Sequence, residues 1–332
     1  MKDKSKPRFL VVCLNPTIQK TLVFKSLKLD AVNRAAEVRT DASGKGVNVA
    51  RVLTQCGYPA THLTHAGGPN KDWFLSLCRA DGLDMAWVDS GSEVRFCTTV
   101  IDKGADTATE LVEEAQAVVQ GSEGRLFEKF ESMLPDYDVF IFSGTKAAGY
   151  SDTLVPNLVQ RATALKKLVV LDIKGKDLAA SLPFGPAVVK PNLEELLASL
   201  PQHAQEAIAA SPTHEAREAV TRNAVAQIAR SWKDKYGTEL IVTRGSKSVW
   251  FNENGAAAEM PVTPVRALNP IGSGDSFTVG LAAKLAEGRS LREAIQEGNR
   301  LGGLNALQLK PGSILPEPNA VGPSFQGSIL PA

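Results

Sequence analysis

Asn269-Pro-Ile-Gly-Ser-Gly-Asp-Ser-Phe277 is the stretch on which the reading of this 332-residue chain turns. It follows a β-like run, Met260 to Ala267. It opens a helical pattern in which Phe277, Leu281, Ala282 and Leu285 recur at spacings of three and four. A glycine-rich turn thus delivers the chain into a helix N-terminus. Gly272 and Gly274 carry no Cβ, so the backbone N–H groups around Ser273 can converge on one point, where the positive end of the helix dipole favours an anion. Asp275 is the odd residue. A carboxylate there is an ordinary helix cap. Beside an anion site it is also what phosphoryl transfer to a hydroxyl requires: a base for the acceptor proton next to dipoles for the developing charge.

Two familiar phosphate motifs are excluded. Phe277 stands where a dinucleotide fingerprint needs its third glycine, and the acidic residue lies inside the turn instead of about 20 residues on. Gly44-Lys45-Gly46 lacks the Ser or Thr after the lysine and the earlier glycine of a Walker A loop. Composition narrows the field further. Hydrophobic residues make up 43% of the chain and the formal charge is +1, which fits a soluble α/β protein and argues against nucleic acid or an anionic membrane as partner. The run Phe9 to Leu14 is short and stops at Asn15-Pro16, so it reads as a first strand and not as a signal peptide or span. Cys13, Cys56, Cys78 and Cys97 lack paired spacing, and His62, His65, His203 and His214 add no metal-ligand pattern; buried thiols in a reducing cytoplasm are expected.

Along the chain, short alternating runs up to about Arg39 suggest small strands at a sheet edge or in a lid. Ser43-Gly-Lys-Gly46 then enters a helix stopped by Gly57 and makes a second candidate anion site, with Lys45 beside it. Strands are predicted at 61–66, 82–88, 94–101 and 109–112, with a helix at 72–79. From Glu123 onward, helices at 123–133 and 151–166 and a short one near Asp177 alternate with apolar strands at 139–142, 168–171 and 187–190. That is the pattern of βαβ units on a parallel sheet covered on both faces. A helix at 193–199, a polar Ala-rich insertion at 201–213, a long helix to about Trp232 and a strand at 239–243 follow. A hairpin is expected around Asn252 to Gly255, and a last helix from Leu291 to about Leu309. Gly312-Ser-Ile-Leu-Pro316 recurs as Gly327-Ser-Ile-Leu-Pro331 in a Pro/Gly-rich tail, 312–332, read as an extended segment.

Five motifs in order resemble the PfkB family of carbohydrate kinases over roughly residues 8–315. They are Asp41-Ala-Ser-Gly-Lys-Gly-Val-Asn-Val-Ala-Arg51, Val94-Arg95, Ser143-Gly144, Lys190-Pro-Asn-Leu-Glu-Glu195 and Gly272-Ser-Gly-Asp275. Leu14-Asn-Pro16 and Ala31-Val-Asn-Arg34 are most similar to 1-phosphofructokinases, with tagatose-6-phosphate kinases close behind. The resemblance implies a single α/β domain of ribokinase-like fold: a mostly parallel central sheet flanked by helices, and a small β lid from about 16–40 and 92–112. It implies ATP-dependent, magnesium-dependent phosphorylation of a phosphorylated ketohexose, fructose 1-phosphate before tagatose 6-phosphate or fructose 6-phosphate. Asp275 would be the base, and Gly272, Ser273 and Gly274 the anion hole. Gln19, Gly44, Lys45, Asn48, Arg95 and Ser143 would hold the sugar phosphate. Asn192 and Glu195 would organise magnesium and the ATP phosphates without a direct protein ligand to the metal, Lys190 would be a further nucleotide-binding residue, and Thr243, Gly245 and Ser246 would lie along the nucleotide. A cytoplasmic homodimer is expected, since lid strands leave edges to cover.

The residues taken singly stay open to other readings: Arg95 on a solvent face, Asn192-x-x-Glu195 as a capping box, Ser143 as a turn residue. Four positions depart from the family: Gln19 where Asp is usual, Ser43 where Gly is usual, Lys174 in Asp172-Ile-Lys-Gly175 where hydroxyl residues are usual, and Ser248 for Gly. They motivate a second reading, a diverged sugar-phosphate-binding protein. A nucleoside or ribose kinase is disfavoured by Lys45 and Arg95, which suit an anionic substrate.

Overall fold

The computed structural model describes residues 6–200, 202–253 and 255–316. The chain opens with β1 (Phe9–Leu14), and a two-residue break at Asn15-Pro16 leads to β2 (Thr17–Phe24) and β3 (Glu37–Ser43). Helix α1 (Lys45–Gln55), β4 (Ala60–Ala66), α2 (Lys71–Ala80) and β5 (Asp84–Asp89) follow, then β6 (Arg95–Asp102) and β7 (Thr107–Val112). The regular α/β part comprises α3 (Ser122–Met133), β8 (Val139–Lys146), α4 (Leu154–Ala164), β9 (Leu168–Asp172), α5 (Gly175–Ser181) and β10 (Val188–Val189). Helices α6 (Leu193–Ala198), α7 (Gln202–Ala209) and α8 (His214–Tyr236) precede β11 (Glu239–Leu240), β12 (Val242–Thr243), β13 (Ser248–Glu253) and β14 (Ala256–Pro261). The last helices are α9 (Ser273–Ala286) and α10 (Leu291–Ala306).

Seven strands form one wholly parallel sheet in the order β11-β10-β9-β8-β1-β4-β5. Alternation along β1 shows why its sequence is continuously apolar: Leu10, Val12 and Leu14 join the core under α3 and α4 with Phe130 and Leu158, while Phe9 and Val11 join the opposite core with Leu53 of α1 and Val279 of α9. Each such fully buried side chain contributes about 1.5–3 kcal/mol of burial. A second sheet, β3-β2-β6-β7, is antiparallel except for the parallel β2–β6 pair, and corresponds to the expected lid. A third sheet, β12-β13-β14, is antiparallel.

Several expectations are corrected. The run 239–243 is not one strand: Glu239 and Leu240 pair with β10, Ile241 is fully buried between the two halves, and Val242 and Thr243 pair with β13 in a different sheet. The β-like run before the glycine turn stops at Pro261, because Pro261 and Pro264 have no N–H to extend the ladder, so 262–267 is irregular. The insertion 201–213 contains α7, built from the good helix formers Ala, Gln and Glu. The tail begins differently from its reading: Pro311, Gly312, Ser313 and Ile314 are buried against α1. Its second Gly-Ser-Ile-Leu-Pro copy lies outside the described residues.

Candidate active site

A cavity of about 500 Å³ opens at the C-terminal edge of the parallel sheet, where the N-termini of α1 and α9 meet. Strand ends in parallel sheets commonly carry sites, because neighbouring connections diverge there. Both helices start from a left-handed or positive-φ glycine, Gly44 at φ 97° and Gly272 at φ 84°. Those conformations exclude most side chains. The first-turn amides of both helices are therefore presented at the cavity, which is the local reason for two Gly-rich turns in the sequence.

Asp275 is buried in the cavity wall. Its Oδ2 accepts a hydrogen bond of 2.8 Å from Asn48 Nδ2 on α1. Burial pushes its pKa up to about 6; Asp172 adds to the rise, while Lys45, the Asn48 amide and Lys190 act against it. Asp172, at the end of β9, is the hub of the neighbouring charges. Its Oδ1 lies 3.3 Å from Lys45 Nζ and 3.5 Å from Lys190 Nζ, and its Oδ2 accepts from Ser143 and Thr278 hydroxyls, both at 3.4 Å. Burial would raise its pKa, but the two ammonium groups more than offset this and hold it below the ordinary value. Lys45 responds in kind: burial would lower its pKa, yet Asp172, Asp275 and Glu195 raise it, so it stays charged.

The lid sheet supplies the facing wall. Register sets Thr17 beside Arg95 and Gln19 beside Cys97, with Glu110 opposite Thr99 and Val112 opposite Cys97. Period-two alternation therefore puts Gln19, Arg95, Cys97, Glu110 and Val112 on one face, and all five line the cavity. Gln19 donates through Nε2 to Thr99 Oγ1 at 2.8 Å. Arg95 donates through Nη1 to the Glu113 carbonyl at 2.5 Å, while its buried Nε has no partner among the described residues. Asn15 Oδ1, also at the cavity, is a second buried orphan.

Twelve of the residues singled out from sequence line this cavity: Gln19, Gly44, Lys45, Asn48, Arg95, Lys190, Asn192, Glu195, Thr243, Gly272, Gly274 and Asp275. Four do not. Ser143 lies beneath it against Asp172, Ser273 Oγ turns to Asn305, and Gly245 and Ser246 sit in the turn between β12 and β13. Asn192 and Glu195 do form a capping box at α6, with reciprocal bonds of 3.0 and 2.8 Å, and line the cavity at the same time. Of the departures, Ser43 Oγ donates to Asn48 Oδ1 at 3.2 Å, and Ser248 Oγ accepts from Arg244 Nη1 at 2.9 Å, beneath an Arg244 guanidinium stacked 3.9 Å from the Trp250 ring centre. Lys174 lines the cavity in extended backbone and has no ion-pair partner among the described residues.

Sequence reasoning missed Asp172 as a charge hub and Glu110 altogether. A carboxylate closing an apolar strand, Leu168-Val-Val-Leu-Asp172, is a signal that was available for the first. Glu110 depends on the β6–β7 register and carries no local signal. No group of three or more His, Cys, Asp or Glu side chains is placed to hold a metal among the described residues. No helix among them is long and apolar enough to cross a membrane.

Comparison with known proteins bears on family and fold. Residues 10–318 match the family described as pfkB family carbohydrate kinase. The Escherichia coli phosphofructokinase-2 structure in complex with fructose-6-phosphate is similar at 20% identity and a TM-score of 0.75, covering 92% of this chain and 96% of that one. A Thermotoga maritima protein described as a possible 1-phosphofructokinase is similar at 17% identity and a TM-score of 0.77, covering 91% and 93%. At these identities the likeness carries the ribokinase-like fold.

Proposed function

The chain belongs to the pfkB family of carbohydrate kinases, and from that premise we propose that it moves the γ-phosphoryl group of ATP onto a hydroxyl of a phosphorylated ketohexose, fructose 1-phosphate first. The observation that carries the reading is Asp275: a buried carboxylate in the first turn of α9, raised to about 6 and lining a cavity that also holds Lys45, Arg95, Lys174 and Lys190. A base needs a pKa near the working pH and reach to the acceptor proton, and Asp275 has both a raised pKa and a place at the wall. Its carboxylate takes the proton of the acceptor hydroxyl as that oxygen bonds to the γ-phosphorus and the bond to the ADP oxygen breaks. The amides of Gly272 to Gly274 face the charge on the transferring group, in a reaction that asks for position and electrostatics more than covalent help.

Residues of the cavity lining support the reading. Arg95, with an orphaned Nε, suits the phosphate of the sugar, and the orphaned Asn15 Oδ1 suits one of its hydroxyl donors. Magnesium-bound ATP supplies the phosphoryl group; Lys190, Asn192, Glu195 and Thr243 line the part of the cavity beyond β9 that would hold its phosphates. Lys174, two residues after Asp172, is exposed and lines the same cavity, with no ion-pair partner among the described residues, so its charge is available to an anionic substrate. Four free cysteines fit a reducing cytoplasm. A homodimer covering the lid edges is supported by Leu29, Val32 and Val38, which are 90%, 84% and 61% exposed.

The test is ADP release over a panel of fructose 1-phosphate, fructose 6-phosphate, tagatose 6-phosphate, fructose and ribose, with Asp275→Asn alongside. Turnover of one or more sugar phosphates, falling by roughly 10²- to 10⁴-fold in Asp275→Asn, supports the reading. Turnover restricted to ribose refutes the substrate class, and near-normal Asp275→Asn turnover refutes the base. The diverged binding protein, favoured by Gln19, Ser43 and Lys174, predicts sugar-phosphate binding without turnover.

A further inference from the structure

The segment after α10 does not trail away from the site but packs behind it, against α1 and the glycine turn before α9. Arg51 of α1 donates to the Pro311 carbonyl at 2.8 Å, Gln55 donates to Ser313 Oγ at 3.0 Å, and Gln55 Oε1 accepts from the Ile314 amide at 2.8 Å. The strap Pro311–Ile314 is thereby fixed along α1. Its other side meets the glycine turn. A Cβ on Gly312 would lie 2.4 Å from Asn48 Cα, and one on Gly272 would lie 2.4 Å from the Gly312 amide nitrogen. At Gly312 the chain is therefore wedged between the residue that holds Asp275 and the first residue of the anion hole, with no room on either flank.

Asn305, in the last turn of α10 and fully buried, joins strap to turn. Its Nδ2 donates to the Ile271 carbonyl at 2.9 Å and to Ser273 Oγ at 3.1 Å, and its Oδ1 accepts from the Ser313 amide at 3.1 Å. One amide thus satisfies three groups on two segments, and no other arrangement of donor and acceptor at this position serves all three. We propose that Asn305 is a positioning residue for phosphoryl transfer. Through the strap it fixes the spacing between Asn48 on α1 and the Gly272–Gly274 amides on α9, and so aligns the base with the anion hole. The activity part of this inference rests on the kinase reading above; the positioning part does not.

Asn305→Leu keeps volume but leaves the Ile271 carbonyl, the Ser273 hydroxyl and the Ser313 amide unpaired. Asn305→Asp keeps the shape and the acceptor for Ser313 but cannot donate to Ile271. Ser313→Ala, which removes the Gln55 contact and leaves the Asn305 bond, is the control. Two readouts are taken well below each variant's melting temperature. In steady-state kinetics, both Asn305 variants should lower kcat by roughly 10- to 100-fold with KM for sugar and ATP within about threefold, the pattern of a misplaced reacting group. Ser313→Ala should stay within about threefold in kcat by the same reasoning. In hydrogen–deuterium exchange, the amides of 271–276 should exchange about tenfold faster in the Asn305 variants than in wild type, while those of 279–284 are unchanged. A lowered melting temperature with kcat within twofold of wild type would make Asn305 a merely structural residue and overturn the proposal. If wild type turns over no sugar of the panel, the kinase reading fails by itself; unchanged exchange at 271–276 then overturns the positioning role independently. If Asn305→Leu does not fold, Asn305→Asp decides by the same two readouts.

Discussion

Removing the hydrogen bond that Asn48 gives Asp275 should move the acid limb of the pH–rate profile upward. In the folded protein the carboxyl titrates near 6, and the Asn48 amide at 2.8 Å is one of the groups holding it down against burial and Asp172. A hydrogen bond to an ionised group contributes about 1.5–3 kcal/mol, and one pKa unit corresponds to about 1.4 kcal/mol, so its loss shifts the pKa by roughly one to two units. The sign follows from the donor: the amide N–H stabilises the ionised form alone, so its removal favours the protonated form. Asn48→Leu is the suitable change because its volume keeps water out, whereas Asn48→Ala leaves space for a water to replace the bond. Wild-type kcat/KM for the sugar, which reports the free enzyme, should rise with pH and level off above an apparent pKa of about 6. The variant should level off only above roughly 7 to 8, having roughly a tenth to a half of its plateau rate at pH 7. ADP-release assays at sugar concentrations well below KM, across the accessible pH range, read both limbs directly. An unmoved limb with activity lost equally at every pH would place Asn48 on the substrate instead of the base, and refute the coupling. Because Asp172 and Asp275 interact, the limb belongs to the pair as a macroscopic titration, but the direction of its shift is the same.

Three other outcomes are expected. Lys174→Met removes a cation from the cavity lining; if the proposed function holds, a lost charge-assisted contact of about 1.5–3 kcal/mol should lower kcat/KM for ATP by roughly 10- to 150-fold with the sugar KM unchanged, and an unchanged value means that Lys174 does not meet the nucleotide. Gln19→Asp should change the ratios of kcat/KM among the three ketohexose phosphates while the KM for ATP holds, since Gln19 donates through Nε2 to Thr99 and lines the lid wall of the cavity; constant ratios would mean no substrate contact. Stability should fall as pH drops below about 6.5, because burial lowers His62 to about 3 and His65 to about 4, so the unfolded chain binds those protons first. Each contributes a slope of about 1.4 kcal/mol per pH unit down to its folded pKa, and raised Asp275 offsets about one proton between roughly pH 6 and 4. His65→Gln should flatten denaturant-derived stability between pH 6 and 4 by one proton's slope; an unchanged slope refutes the assignment.

The chain's local chemistry was legible because it is written in short windows. Two glycine turns before two helical patterns marked the helix starts that meet at the cavity, since only Gly enters a helix from positive φ without strain, and apolar strands alternating with helices marked a parallel sheet covered on both faces. Asp275 and Lys45 came from those windows, Asn48 and Arg95 from the family resemblance, and all four line one cavity. What sequence could not supply depends on separation along the chain. Glu110 reaches the cavity only through the register of β7 on β6, and the run 239–243 divides between two sheets because an apolar strand carries no mark of which neighbour it pairs with. The strap at 311–314 looked like the start of an extended Pro/Gly tail, since Gly and Pro signal turns whether or not a core covers them. Its burial between Asn48 and Gly272, residues more than 200 positions apart, was decided by tertiary packing alone. So was the raised pKa of Asp275: desolvation and the nearby Asp172 are properties of the assembled site, not of the nine residues that announce it.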